Sequence, residues 1–320
     1  MTESYLSTPT DPRIEQQREA LIWLESLREQ LMRVFLNWSK TIKEQATATT
    51  LAPLHQSINR LSQKINANQS LLSPRPVLNS LDLQSLWNKL KTSLEKEVLG
   101  KPHQHWLTQT DGVDVSAWAS QQHTLTARFV FWLQQQTWQH AGSSKITSLR
   151  HWDHHTLQQQ LANNKNNFTQ RPHWQGKTHE VSWFSTQKHH PLITKMIQQQ
   201  GNGIYTRTIA RLVGIADLIH KLDHFFAGRT QQLPYQASNG LAHINTARGR
   251  LSHFIQLNNN TIKQLNILAP TEWNFHPQGV AVKSLENLQA NDVISLEQQA
   301  HCLINAIDPC VGYVLAIDTI

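Results

Sequence analysis

Apolar residues recur at helical spacing along most of the chain. Leu21, Leu24, Leu27, Leu31, Phe35 and Trp38 form one stripe, with Gln, Glu and Arg filling the other face, and predict an amphipathic helix from 12 to about 45. The ten residues before it read as a frayed tail. A second helix is expected over 54–72, ending before the Ser73-Pro74-Arg75-Pro76 break. A third, over 81–99, carries Leu83, Leu86, Trp87, Leu90 and Leu94 and is stopped by Gly100-Lys101-Pro102. A fourth is predicted over 113–140, with Trp118, Leu125, Phe129, Trp132 and Leu133 on its apolar side. From 141 to 190 the pattern is irregular and rich in His, Trp, Asn and Thr, which reads as loops with short strands, one of them around 180–184. Gly201-Asn202-Gly203 then precedes the strongest helix, 204–226, with Ile209, Leu212, Val213, Ile219 and Leu222 inward and Gly228 just past its end.

After Pro234 the period changes from helical to alternating. Leu251, His253, Ile255 and Leu257 alternate with Ser252, Phe254 and Gln256, Asn258-Asn259-Asn260 supplies a turn, and 261–268 returns as a partner strand. A last helix is expected from Ser295, whose hydroxyl suits a cap with Gln298 three positions on, to about Ala306. The fold class is therefore mainly α with a small antiparallel β portion, an α+β arrangement. It reads as one domain over 1–320, with 1–75 as an N-terminal helical appendage.

Composition narrows the class. At 320 residues, with 39% hydrophobic and 16% charged residues, the chain can bury a substantial core and reads as globular rather than disordered. The net charge is +7 and the pI about 9.5. Such a balance raises a basic, helical nucleic-acid-binding protein as a rival reading, which would bind DNA with steep salt dependence. Against it, Lys and Arg are scattered singly and never form a run of five or more, so no nucleic-acid partner is expected. The two cysteines, Cys302 and Cys310, are no disulfide framework. The polar start lacks a signal-peptide layout, and no apolar stretch approaches the length that spans a bilayer. The expectation is a cytoplasmic protein without membrane insertion.

Histidines raise a metal. His220 and His224 stand one helical turn apart, a spacing that can bind zinc, but Lys221 occupies the place of the Glu general base in H-E-x-x-H. Without that base the pair reads as the polar face of a helix. His151, His154 and His155, and His189-His190, fall in loops and read as surface histidines. No G-x-S-x-G, no phosphate-cradling glycine loop and no G-x-G-x-x-G is present.

Three segments in the last third carry more. They are Gly240-Leu241-Ala242-His243-Ile244-Asn245-Thr246-Ala247-Arg248-Gly249, then Pro270-Thr271-Glu272-Trp273-Asn274-Phe275-His276-Pro277, then Ile307-Asp308-Pro309-Cys310. In order and spacing they resemble the large subunit of [NiFe]-hydrogenases, where a Gly-rich turn leads to E-A-P-R-G, then a hairpin, then P-T-T-W-N-x-x-P, and finally D-P-C-x-x-C-x-x-H. The resemblance spans 240–316, and 235–320 is the most family-like part. The helix over 204–226 extends it, since the family has a similar Arg-containing helix upstream.

The departures bear on function. The resemblance implies two C-x-x-C pairs giving four thiolates for nickel, two of them bridging to an iron that carries cyanide and carbon monoxide. No cysteine precedes Cys302, Tyr313 stands at the second cysteine position of the terminal motif, and Ala316 stands at its histidine. A phenol and a methyl cannot replace a soft thiolate and an imidazole, so no nickel is expected. Cys310 alone remains as a metal ligand. Arg248 falls on the family's Arg near the iron's diatomic ligands, a job that suits a permanently charged donor, and Asp308 falls on the Asp of D-P-C. Asn245 and Ala247 replace the Glu and Pro of E-A-P-R-G. Cys302, on a helix, reads as core. With the sequence ending at Ile320, the cleavable terminal peptide of the family is not expected. A large-subunit-like chain lacking the cysteine pairs is similar to the HupK/HoxV-type hydrogenase maturation factors. That resemblance implies a non-catalytic scaffold holding the Fe(CN)2(CO) fragment transiently, with small hydrogenase assembly chaperones and the apo large subunit as partners. The alternative is a metal-free degenerate homologue acting as a structural or regulatory partner.

Overall fold

In the computed structural model, residues 11–45, 48–66, 81–136, 138–149, 153–164, 167–229, 237–238, 240–259 and 261–318 are described. Helix α1 (Pro12–Met32) starts behind Asp11, whose side chain accepts from the Arg13 N–H at 2.8 Å, with Pro12 in the first turn. It continues through a π turn, Arg33–Trp38, and ends at Thr41, short of the predicted 45. Helix α2 (Ala48–Asn66) begins earlier than predicted and buries Leu51, Leu54, Ile58, Leu61 and Ile65; the predicted stretch beyond it lies outside the described residues. Helix α3 (Leu81–Leu94) and its π turn, Glu95–Leu99, fill the third predicted span and stop at Gly100. Gly100 has φ +64°, and a Cβ there would stand 2.9 Å from Trp118 Nε1.

Two departures follow from local polar chemistry. The single helix predicted over 113–140 is two, α5 (Gly112–Ser120) and α6 (Leu125–Gln135), preceded by the unforeseen α4 (His103–Thr108). Between α5 and α6 Gln122 takes φ +53°, and the Thr124 hydroxyl caps the new helix by accepting from Ala127 N–H at 3.1 Å. The strand predicted around 180–184 is only an isolated bridge, Ser148 to Glu180. The chain then turns into α8 (Trp183–Gln187), because the Glu180 side chain is drawn inward to Arg207 rather than alternating along a strand. The same irregular region also holds α7 (His154–Asn163) and leads into α9 (Pro191–Gln200).

Helix α10 (Ile204–Phe226) forms as the sequence predicts. Every residue from Ile204 to Ala216 is buried, as for a helix surrounded on all sides, while its last turns keep a half-buried polar face. Helices α1, α3, α4, α6, α8 and α9 pack on it. The sheet has the order β1-β2-β3-β4, all antiparallel, from β1 (Ala237–Ser238), β2 (Leu241–Thr246), β3 (Gly249–Asn258) and β4 (Thr261–Leu268). The predicted hairpin is β3–β4; β2 is an addition. Short helices α11 (Pro270–Asn274) and α12 (Val280–Leu285) lead to α13 (Val293–Ile307), which also packs on α10. Its cap is not Ser295. Asp292 accepts from the Ser295 N–H at 2.8 Å, while the Ser295 hydroxyl donates back to Asp292 at 2.8 Å.

Two cores result. The larger runs from Ala20 on α1 through α10 to Ile307 on α13. The smaller joins Leu157 and Leu161 of α7 to Leu241, Phe254 and Leu268 of the sheet and to Trp273 of α11. Among the described residues no helix is long and apolar enough to cross a membrane.

Candidate functional site

Where the two cores meet, backbone and side chains are stitched by one buried ion pair. Arg207 of α10 grips Glu180 with both amino groups, at 2.6 and 2.9 Å, and both side chains are wholly buried. The Ser182 hydroxyl also donates to Glu180, and the guanidinium lies 4.7 Å over the Phe184 ring. The next residue, Val181, donates its N–H to Asn274 Oδ1 at 3.0 Å and accepts from Arg250 N–H at 3.1 Å. A Cβ on Gly249 would stand 1.8 Å from the Val181 carbonyl oxygen, so only glycine permits this approach. The β2–β3 turn, Ala247-Arg248, is thereby fixed in place.

That turn presents Arg248 to the end of α13. Asp308 caps this helix in the left-handed region, φ +71°, with its N–H on the Ile304 carbonyl at 2.8 Å. Asp tolerates that conformation better than most residues, and Pro309 ends the helix behind it. The Asp308 side chain is 1% exposed and ringed by three guanidiniums: Arg33 Nε at 2.8 Å, Arg211 Nη1 at 3.5 Å and Arg248 Nε at 3.7 Å. These are ion pairs rather than in-line hydrogen bonds, since neither carboxylate oxygen has a donor in hydrogen-bonding geometry. Arg211 is held from behind by Gln30 Oε1 at 2.5 Å and by the Asn305 carbonyl at 3.1 Å. Gln30 in turn donates to the Ala247 carbonyl at 2.7 Å. Arg248 donates to Glu29 at 3.0 Å, while its buried Nε has no hydrogen-bond partner. Burial pushes the Arg211 guanidinium below its ordinary value; Asp308 opposes the shift, and Arg33 and Arg248 add to it. Arg28 also pairs with Glu29, at 3.3 Å, so four guanidiniums meet the two carboxylates Glu29 and Asp308 and leave positive charge in excess, a setting suited to anionic or strongly accepting groups.

Cys310 lies two residues beyond Asp308 and is exposed. The Thr271 hydroxyl, from the first turn of α11, donates to its sulfur at 2.9 Å. Each of the three sequence segments thus contributes: Arg248 from the first, Thr271 from the second, Asp308 and Cys310 from the third. Tyr313 points elsewhere, its hydroxyl 2.9 Å from His301 Nδ1 of α13. Cys302 is buried in the larger core, and burial pushes its thiol up to about 12. Among the described residues no group of three or more His, Cys, Asp or Glu stands ready to hold a metal ion.

Sequence reasoning missed Arg33, Arg211, Glu29 and Gln30. One signal was present: Arg207 and Arg211 sit one turn apart in a helix whose apolar residues Ile209, Leu212 and Val213 surround them in sequence, and buried arginines need partners. Arg33 gave none, because its place beside Asp308 depends on how α1 lies across the fold.

Comparison with known proteins agrees with this layout. The family model described as nickel-dependent hydrogenase matches residues 192–313. The hydrogenase expression/formation protein HoxV of Cupriavidus necator is 26% identical over 309 residues, covering 90% of this chain and 74% of HoxV. HupK of Bradyrhizobium diazoefficiens, also a hydrogenase expression/formation protein, is 35% identical over 124 residues, covering 37% of this chain and about a third (34%) of HupK. The Ni-Fe-Se hydrogenase of Desulfomicrobium baculatum has a TM-score of 0.61 at 10% identity, covering 97% of this chain and 84% of that one. The enzyme of D. vulgaris Hildenborough gives 0.57 at 10% identity, covering 94% and 81%. At this identity the structures speak to fold alone. The chain is similar to HoxV/HupK proteins, and its fold to that of a hydrogenase large subunit.

Proposed function

We propose that this protein is a non-catalytic scaffold in [NiFe]-hydrogenase maturation, holding or assembling the Fe(CN)2(CO) fragment before transfer to the hydrogenase large subunit. The observation that carries the reading is an exposed thiol, Cys310, two residues from a buried carboxylate ringed by Arg33, Arg211 and Arg248. The names of the relatives support a maturation role at the coarser level.

In this reading the fragment is cargo. Cys310 supplies the thiolate, the form of cysteine that binds metal, and Thr271 orients its sulfur. Arg248, whose side chain is 24% exposed, donates to cyanide nitrogen. Asp308 holds the guanidiniums together, and Gln30 fixes the turn that bears Arg248. One thiolate grips weakly enough to release the cargo, where four would trap it. The givers and takers are small hydrogenase assembly chaperones and the apo large subunit.

The test is hydrogenase activity in cells whose only copy carries Cys310→Ala, together with hydrogen turnover by the isolated protein. The reading expects the variant to be soluble and the hydrogenase nearly inactive, with no turnover by the purified chain. Normal hydrogenase activity with the variant, or turnover by the isolated chain, would overturn it.

A further inference from the structure

A second cluster lies at the far end of α10 from Arg207. His220 and His224 have ring centroids 4.4 Å apart, and the His103 ring, from the first turn of α4, lies 6.0 Å from that of His220. His103 is fully buried, whereas His220 and His224 are half-buried. Glu95 holds His103 twice: its Oε1 is 2.7 Å from His103 Nδ1 and accepts the His103 backbone N–H at 3.0 Å. In the neutral ring, a carboxylate on Nδ1 favours the tautomer that has its proton there and its lone pair on Nε2. That Nε2 is buried without a hydrogen-bond partner. Leaving such a group unsatisfied costs roughly 1–3 kcal/mol.

We propose that His103, His220 and His224 form a site for one divalent ion of the zinc class, with Glu95 as the carboxylate that orients the buried ligand. Imidazoles suit such ions, and a ligating histidine commonly gives its other N–H to a carboxylate. Two imidazoles on one tetrahedral ion have ring centres about 5 Å apart, between the two separations here. The three rings do not yet stand at coordinating distance around one point. In the proposed site the half-buried His220 and His224 turn toward His103 Nε2. The neighbouring charged groups are already engaged. Asp223 accepts from Lys91 at 2.7 Å and from Trp87 at 3.0 Å, and Lys221 pairs with Asp217 at 2.7 Å. Two other imidazole pairs stand at similar separations, His154 with His243 at 4.9 Å and His173 with His276 at 4.6 Å. The proposal does not depend on the iron-holding reading of Cys310.

Calorimetric titration of the demetallated full-length chain with Zn2+ near pH 7.5 tests it, in a Cys310→Ala background so that the exposed thiol does not compete. Co2+ substitution and zinc-edge absorption report the ligand set. One tight equivalent with three imidazole nitrogens is expected. His220→Gln and His224→Gln should each weaken it by about 100-fold or more, and Glu95→Gln by about 10–100-fold, while His243→Gln and His173→Gln leave it unchanged. His103→Gln removes a buried side chain and risks unfolding, so the half-buried pair and Glu95 are the positions that decide. Unchanged affinity in His220→Gln or His224→Gln, loss of binding in His243→Gln, or no binding by the parent chain would each overturn the site.

Discussion

Cys302 and Cys310 stand eight residues apart, one buried and the other exposed. Cys302 faces the larger core from α13, and burial lifts its thiol from 9.0 to about 12. Cys310 lies just past the same helix, in water, with a hydroxyl donor on its sulfur and three guanidiniums around the neighbouring Asp308. The difference teaches that the surroundings, not the residue type, decide which thiol can serve as a ligand. A protonated, buried thiol fills space. An exposed one beside an excess of positive charge can be offered to a metal fragment and withdrawn.

The largest effect expected to follow from this contrast is that of Cys310→Ala, which should abolish most maturation of the hydrogenase served while leaving thermal stability within about 1 kcal/mol of the parent. Hydrogenase activity in cells and a melting curve check both halves. Next comes Asp308→Asn. It strips the charge from a carboxylate that three arginines surround, and should destabilise the fold by about 3–5 kcal/mol in denaturant titrations. A change below about 1 kcal/mol would mean that the arginines are solvated independently. Arg248→Leu should lower retention of the iron fragment by about 10–100-fold, as loss of an outer partner does, with the fold intact by circular dichroism. If retention is unchanged, Arg248 only braces Glu29.

The smallest effect on function belongs to Cys302→Ala, which should leave maturation close to normal. Its signature is in pH instead. The folded thiol holds its proton more tightly than the unfolded one, so its contribution to stability is complete below pH 9 and is lost as pH rises toward about 12. Unfolding free energy should therefore fall more steeply across that window in the parent than in Cys302→Ala. Parallel curves would contradict the burial argument. Alkylation of the native protein at neutral pH should mark Cys310 and spare Cys302.

Much of this was legible in the sequence where one strong periodic signal stood alone. Helix α10 and the β3–β4 hairpin follow from their apolar spacing, and the order of the three C-terminal segments pointed to Arg248, Asp308 and Cys310. Helix α7 was not legible, because only Leu157 and Leu161 face inward along it, too few to set a period. The break between α5 and α6 rests on the Thr124 cap and the left-handed Gln122, which interrupt an apolar stripe without removing it. Arg33 and His103 were invisible for another reason. Their roles come from partners far along the chain, Asp308 for the one and His220 for the other, and such meetings belong to tertiary packing.

The central claim is that Cys310 holds an iron fragment carrying cyanide and carbon monoxide. Infrared spectroscopy of the anaerobically purified protein tests it most directly, comparing the parent with Cys310→Ala and Cys302→Ala. The account predicts cyanide and carbon monoxide stretching bands in the parent and in Cys302→Ala, and their loss in Cys310→Ala. Bands that persist in Cys310→Ala, or that vanish only in Cys302→Ala, would contradict it.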